Sequence, residues 1–256
     1  MKRKVALAGA VLAAAYGPAA YAETRVSLAS GIDFSSGKYG GDASTEVISV
    51  PFVFRVANSS WAFRASTSYL EITGPADVAE SDGSGGLSTR TGTQSGLGDA
   101  NLAFSHTFRR LGGSHAYFET TARARLPIGD EDKGLGVGTT DYGLSGEIGA
   151  NLSGGGASFE LTRRFLGDRT GVERQDGWQV NASSWLRGGE RSRLGVFGSW
   201  REASIEGNED PAQLGAFASY DVTPSVQFTL NAAGGLSDAS ADYSTGLRLT
   251  WRRSSD

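Results

Sequence analysis

Between residues 25 and 251 apolar and polar side chains alternate with a period of two, in one short run after another. In an extended chain successive side chains point to opposite faces, so these runs predict β-strands that are apolar on one face only. The first run sets Val26, Leu28, Ile32 and Phe34 against Arg25, Ser27 and Asp33. The second sets Ile48, Val50, Phe52, Phe54 and Val56 against Ser49 and Arg55, with Pro51, which has no N–H to give a ladder, in its middle. The third opposes Trp61, Phe63 and Tyr69 to Arg64, Ser66 and Ser68, and the fourth opposes Leu102, Phe104 and Phe108 to Asn101, Ser105 and Thr107. The fifth opposes Phe118, Ala122, Ala124 and Leu126 to Glu119, Thr121, Arg123 and Arg125. Seven more runs follow the rule, the last opposing Tyr243, Leu247, Leu249 and Trp251 to Ser244, Arg248 and Thr250. Three aromatics, Trp185, Phe197 and Phe217, break the pattern by sitting on the polar face.

The twelve runs are joined by connections of alternating length. Residues 58–60, 111–114, 153–156, 188–191 and 223–224 are short turns. Residues 35–45, 73–98, 127–141, 167–177, 202–211 and 237–242 are longer and polar. Long and short connections in strict alternation, with an even number of strands, predict an all-β, antiparallel transmembrane β-barrel of about 12 strands. Its long loops are expected outside the cell and its short turns in the periplasm. Alternation alone does not say which face meets water. Aromatics near the run ends (Trp61, Tyr142, Trp178, Trp200, Tyr243, Trp251) suit interfacial girdles, so the apolar face is read as lipid-facing and the polar face as the lumen. A secreted β-sandwich would not need the long–short rhythm.

The first 22 residues are read as a cleaved signal peptide. Lys2, Arg3 and Lys4 precede an apolar stretch over residues 5–15, and Ala20-Tyr21-Ala22 is a small-x-small cleavage site. The apolar stretch is too short to span a bilayer as a helix. Residues 23–256 then form a single barrel domain in the bacterial outer membrane. Losing the three cations leaves 21 Lys and Arg against 28 Asp and Glu, a net charge of −7. That acidity excludes a nucleic-acid partner, and the absence of cysteine excludes disulfides and thiolate metal sites. A mean hydropathy of −0.26 excludes a helical multispan protein and leaves a barrel open.

Two stretches carry a resemblance. Ser95-Gly-Leu-Gly-Asp99 opens the fourth run. Arg125-Leu-Pro-Ile-Gly-Asp130 is followed by Gly134-Leu-Gly-Val-Gly-Thr-Thr-Asp-Tyr-Gly-Leu144. Together they resemble the outer-membrane family named for the MetA pathway of phenol degradation, which shows a GLGD strand start, an LPTGD strand end and a Gly-rich loop closing on a DYGL-like segment. Ile128 stands where that family usually has Thr, and Trp251 is followed by five further residues where barrels usually end on an aromatic. The resemblance implies a barrel that passes small molecules. It implies no catalytic residues, no cofactor and no defined substrate.

The lumen face carries the candidate pathway: Arg55, Arg64, Arg123, Arg125, Arg164, Arg193, Arg201 and Arg248, with Glu119, Glu147 and Glu160. Eight cations against three anions suit passage of small anionic or aromatic solutes. The same residues also suit a salt-bridged plug, because enclosed charges must pair. The long loops hold 17 acidic residues against 5 basic ones, densest at Asp130-Glu131-Asp132, but without metal-ligand spacing, so no metal is expected. His106 lies on the lipid-facing parity, His115 lies in a turn, and no Gly-x-Ser-x-Gly elbow is present, so no enzyme is expected. Arg163 falls on the outward parity beside a loop, within reach of a lipid phosphate.

The sequence therefore predicts an outer-membrane channel or transporter. Its partners are outer-membrane lipid and lipopolysaccharide, a small solute, and the barrel-assembly machinery. A closed structural or lipid-modifying barrel is the alternative.

Overall fold

The computed structural model describes residues 24–39, 43–74, 92–109, 111, 115–169 and 171–254. The signal segment predicted over residues 1–22 and most of the 73–98 loop lie outside these residues. Thirteen strands follow the chain: β1 Arg25–Gly37, β2 Thr45–Ala57, β3 Trp61–Thr73, β4 Thr93–Leu97, β5 Ala100–Arg109, β6 Ala116–Leu126 and β7 Asp141–Leu152. They continue with β8 Gly155–Phe165, β9 Gly177–Arg187, β10 Ser192–Arg201, β11 Ala212–Thr223, β12 Val226–Gly235 and β13 Tyr243–Ser254. Each pairs antiparallel with its chain neighbour, and β1 pairs with β13, so the sheet closes on itself. The segments β4 and β5 both pair with β3 and are two halves of one strand, which makes a closed barrel of twelve.

The break in that strand falls at Gly98-Asp99, inside the motif that opens the fourth run. Residues 93–97, read from sequence as loop, therefore extend the wall beside Tyr69–Thr73. The C-terminal tail also differs from its sequence reading. β13 runs past Trp251 to Ser254, which pairs with Arg25, so Arg252 and Arg253 are wall residues. Arg252 is held inside by an ion pair with Asp221.

The wall is inverted relative to a soluble protein. Leu28, Ile32, Phe52, Phe104, Leu144, Ile148, Leu194, Leu230 and Leu247 are all exposed on the outer face, while Thr121, Ser145, Glu160, Thr162, Thr229 and Asn231 are buried inward. Exposed apolar side chains on every strand are stable only against hydrocarbon, and a closed ladder leaves no strand edge unpaired there. Among the described residues no helix is long and apolar enough to cross a membrane, so the crossing is made by strands.

Aromatics gather near both rims. At the short-turn end Trp61 stacks on Phe104 at 5.0 Å, and His106 lies between Trp61 (4.1 Å) and Phe108 (4.3 Å). At the long-loop end Phe34 meets Tyr243 at 5.9 Å. Arg163, on the outer face, lies over the Trp178 ring at 5.2 Å, which fixes a charged group at that rim.

Candidate solute pathway

The barrel encloses a cavity of about 350 Å³. Strand parity decides its lining, since every second residue of each strand faces it. Eight of the eleven sequence-predicted residues line it: Arg55, Arg64, Glu119, Arg123, Glu147, Glu160, Arg193 and Arg248. Arg125, Arg164 and Arg201 do not. They sit higher, at the long-loop end, where Arg125 pairs with Asp141 and Arg164 donates to the Glu202 carbonyl (3.2 Å) and to Ser204 Oγ (2.9 Å). Arg201 is half-buried at the same end of β10.

The charges are sorted around the wall. Glu119, Glu147 and Glu160 are direct cross-strand partners on β6, β7 and β8. Arg123 donates to Glu160 Oε1 at 2.5 Å, and Ser145 and Asn181 also donate to this carboxylate, each at 2.9 Å. Glu147 accepts from the Tyr117 hydroxyl (2.6 Å) and Glu119 from Thr107 (2.5 Å). On the opposite arc Arg55 and Arg64 are cross-strand partners on β2 and β3, and Arg248 on β13 donates to Asp33 Oδ2 at 3.2 Å. The pairing of Arg123 with Glu160, of Arg248 with Asp33 and of Arg193 with Asp221 (3.7 Å) matches the plug reading for these three arginines. Glu147 instead takes a neutral donor.

A third arc, on β9 to β11, is aromatic. Trp185, Phe197 and Phe217 form one cluster on the lumen wall. Each ring lies against a glycine of a neighbouring strand. A Cβ at Gly195 would stand 2.5 Å from the Phe217 ring, and one at Gly156 would stand 2.7 Å from Trp185 Nε1. The missing side chains let the large rings lie against the wall.

The long-loop end is built differently, and here the sequence reading missed the main residues. Asp99 accepts hydrogen bonds from the backbone N–H of Gly129 (3.1 Å) and of Val137 (2.9 Å), tying the 127–140 loop to the strand break. Gly136 lies against that carboxylate. A Cβ there would be 2.5 Å from Asp99 Oδ1, so only glycine fits. Asp141 takes Arg125 from β6, the two terminal guanidinium nitrogens of Arg174 (2.8 Å each), and the Gly167 N–H (2.9 Å). Leu135 from the tied loop packs with Tyr39, Val47, Leu70, Ile72 and Ala241 in a buried apolar cluster. The quoted Gly-Leu-Gly-Asp and Gly-rich stretches were the signal for this loop tie. Nothing in the sequence pointed to Arg174, which is 75 positions from Asp99 in the chain yet meets the neighbouring carboxylate Asp141.

No group of three metal-ligating side chains occurs among the described residues. His106 is packed between aromatic rings on the outer face, and His115 is exposed.

A closed twelve-stranded wall, apolar outward and polar around an enclosed cavity, defines a bacterial outer-membrane β-barrel with the fold of channels and porins. More narrowly, the chain belongs to the family described as "Putative MetA-pathway of phenol degradation", which matches residues 23–253. Among solved structures it is similar to the COG4313 outer membrane channel from Pseudomonas putida F1, at 12% identity and a TM-score of 0.69, covering 94% of this chain and 98% of that one. It is also similar to the NanC porin, at 8% identity and a TM-score of 0.58, covering 87% of this chain and 97% of that one. The KdgM porin, solved with disordered oligogalacturonate, is similar at 8% identity and a TM-score of 0.51, covering 91% and 99%. No curated protein matches the chain.

Proposed function

We propose that this protein is a non-catalytic outer-membrane channel for small solutes, and that its arginine-rich lumen favours anionic ones, aromatic carboxylates included. The observation that carries this reading is the lining of the enclosed cavity. Arg25, Arg55, Arg64, Arg109, Arg123, Arg193 and Arg248 face it, against Glu119, Glu147 and Glu160. A narrow space with excess fixed positive charge concentrates anions. Guanidinium groups stay charged at any working pH and grip carboxylates with two parallel bonds. Outer-membrane lipid and lipopolysaccharide surround the wall, and the barrel-assembly machinery inserts it.

The tied loop and apolar cluster at the long-loop end favour a second reading, in which the resting barrel is closed. One experiment separates the two. The purified protein in a planar bilayer, under a KCl gradient, is expected to conduct with a reversal potential on the anion side. The double variant Arg55→Glu with Arg64→Glu is expected to move that potential toward cations. Absence of conductance favours the closed barrel, and a reversal potential unmoved by the double variant removes the arginine pathway.

A further inference from the structure

We propose that the lumen holds a stepped binding site for elongated dicarboxylates, built from arginines that share one cross-strand row of the barrel. The proposal rests on the reading of the lumen as an anion pathway and names the class of anion.

The row can be followed strand by strand through the register. Arg252 on β13 lies opposite Ser27 on β1, and Ser27 lies opposite Arg55 on β2. Arg55 faces Arg64 on β3, Arg64 faces Ala103 on β5, and Ala103 faces Arg123 on β6. Arg123 faces Gly143 on β7, Gly143 faces Arg164 on β8, and Arg164 faces Gly177 on β9. Direct cross-strand partners share a face of the sheet, so all nine positions point inward. Five of the nine are arginine and the other four are Ser, Ala or Gly. Strands tilt in a closed barrel, so a row across them climbs as it goes round. This row starts near the short-turn end of β13 and finishes at the long-loop ends of β8 and β9. The arginines are the steps of a stair, and small side chains separate them.

Charge is sorted by row as well as by arc. Glu119, Glu147, Glu160 and Asn181 are partners in a second row closer to the short turns. Ser105, Thr121, Ser145 and Thr162 make a row of hydroxyls between the two, crossed where Arg123 reaches Glu160.

Three steps face the cavity: Arg55, Arg64 and Arg123, with Ala103 between the last two. Arg64 is exposed to the lumen, and Arg123, although shared with Glu160, keeps a side chain that is 38% exposed. Neighbouring strands lie about 5 Å apart, so Arg55 and Arg64 present two guanidinium groups to one carboxylate, and Arg123 follows about 10 Å beyond Arg64. Like charges directly opposed across strands repel, and a carboxylate between them relieves that repulsion. A second carboxylate on the same molecule is then delivered to Arg123 at high effective concentration. A monoanion must leave one step before it reaches the next. A dianion takes the next before it leaves the last, which suits movement along the stair. The end steps are tied by the protein itself, Arg252 to Asp221 and Arg164 to the Glu202 carbonyl and Ser204.

The test uses the purified mature protein in detergent and reads binding by titration calorimetry at fixed ionic strength, which does not depend on conductance. The probes are adipate, long enough to reach from the Arg55–Arg64 pair to Arg123, and malonate, which carries the same charge on a shorter span. Adipate is expected to bind roughly tenfold more tightly, the effect of one further charged hydrogen bond. Ala103→Leu puts bulk between two steps without altering charge, and is expected to bring adipate down to the level of malonate while malonate binding stays. Arg64→Gln is expected to weaken both probes roughly tenfold. Two controls lie off the row. Arg187→Gln removes an exposed arginine opposite Arg193 on the inner face, and Ser199→Leu adds bulk elsewhere on the cavity wall. Both are expected to leave adipate binding unchanged. Heat-shifted mobility in SDS checks that each variant is a folded barrel before titration. Equal affinity for adipate and malonate overturns the stair. So does a loss in Arg187→Gln as large as that in Arg64→Gln, or adipate binding unmoved by Ala103→Leu. A KCl reversal potential on the anion side in any of these cases leaves the anion pathway standing. A potential without anion preference, with adipate still bound through Arg64, strikes the pathway and leaves the stair as a binding site.

Discussion

The two ends of this barrel are stabilised in opposite ways. Around the cavity the inward side chains are polar, hydrogen-bonded across neighbouring strands and partly open to the space they enclose. At the long-loop end wall and loops interlock, with Val47, Leu70 and Ile72 of the strands packed against Tyr39, Leu135 and Ala241 of the loops. Two carboxylates, Asp99 and Asp141, pull distant segments inward, and the segments bring an apolar cluster with them. Arg123 on the lumen wall is 38% exposed, so water can reach it when a partner is lost, although its carboxylate Glu160 is as enclosed as Asp141 (8% against 7%). At the loop end both partners are enclosed. The Arg174 side chain is 1% exposed and that of Asp141 7%. The strands enclose the cavity, and two carboxylates tie the loops at its long-loop end.

The sharpest way to break the comparison is Asp141→Ala. It leaves Arg125 and Arg174 without their shared partner, and stranding enclosed charge costs about 3–5 kcal/mol. The temperature at which the folded form in SDS gives way to the unfolded mobility is expected to fall, and single-channel conductance to rise as the loops release. Unchanged melting would place the latch elsewhere.

Asp99→Ala comes next. It removes two hydrogen bonds from backbone N–H groups to a carboxylate, each worth about 1.5–3 kcal/mol, part of which water returns once the loop lifts. Leu135→Cys, unreactive in the parent, is expected to react with a maleimide in the Asp99→Ala background. Continued protection would show that the apolar cluster holds the loop without Asp99.

A lumen change is expected to be milder. Glu160→Gln keeps the shape, but its single acceptor oxygen can serve Arg123 and Ser145 or Asn181 and not both, and it removes the charge that pairs with Arg123, whose side chain is 38% exposed. After discounting for solvent, a cost of about 1 kcal/mol or less is expected. The selectivity should move further toward anions while melting barely shifts. A fall as large as that of Asp141→Ala would erase the contrast between the two ends.

The smallest effect is a titration in the loop cluster. Tyr39 is fully buried in the left-handed region (φ 48°), donates to Ser35 Oγ at 2.9 Å, and burial pushes its hydroxyl up to about 12. Because the folded form holds the proton more tightly, this stability is complete below pH 10 and is lost as pH rises through about 12. Conductance is expected to rise slightly over that window, and Tyr39→Phe to abolish the rise. A rise that persists in Tyr39→Phe would assign it to another group.

The alternation along the chain determined the wall. Once Val26 and Leu28 face lipid, Arg25 and Ser27 must face inward, and the same parity placed Arg55, Arg64 and Glu147 on the cavity from local pattern alone. It also placed Arg125, Arg164 and Arg201 on the inner face, but parity says nothing of height or of what folds over a residue, and these three meet loops. The break at Gly98-Asp99 was not legible, because residues 93–97 alternate too briefly to be told from a loop. The tail beyond Trp251 carries no apolar alternation either. It is strand because β1 lies beside it and Asp221 awaits Arg252. Only closure of the barrel brings Asp141 beside Arg174, sets the acidic strands β6 to β8 across from Arg55 and Arg248, and lays Phe217 over Gly195. Period-two order is a property of each strand by itself. Which charges meet depends on shear, register and loop docking, and those are fixed only when all twelve strands share one ring.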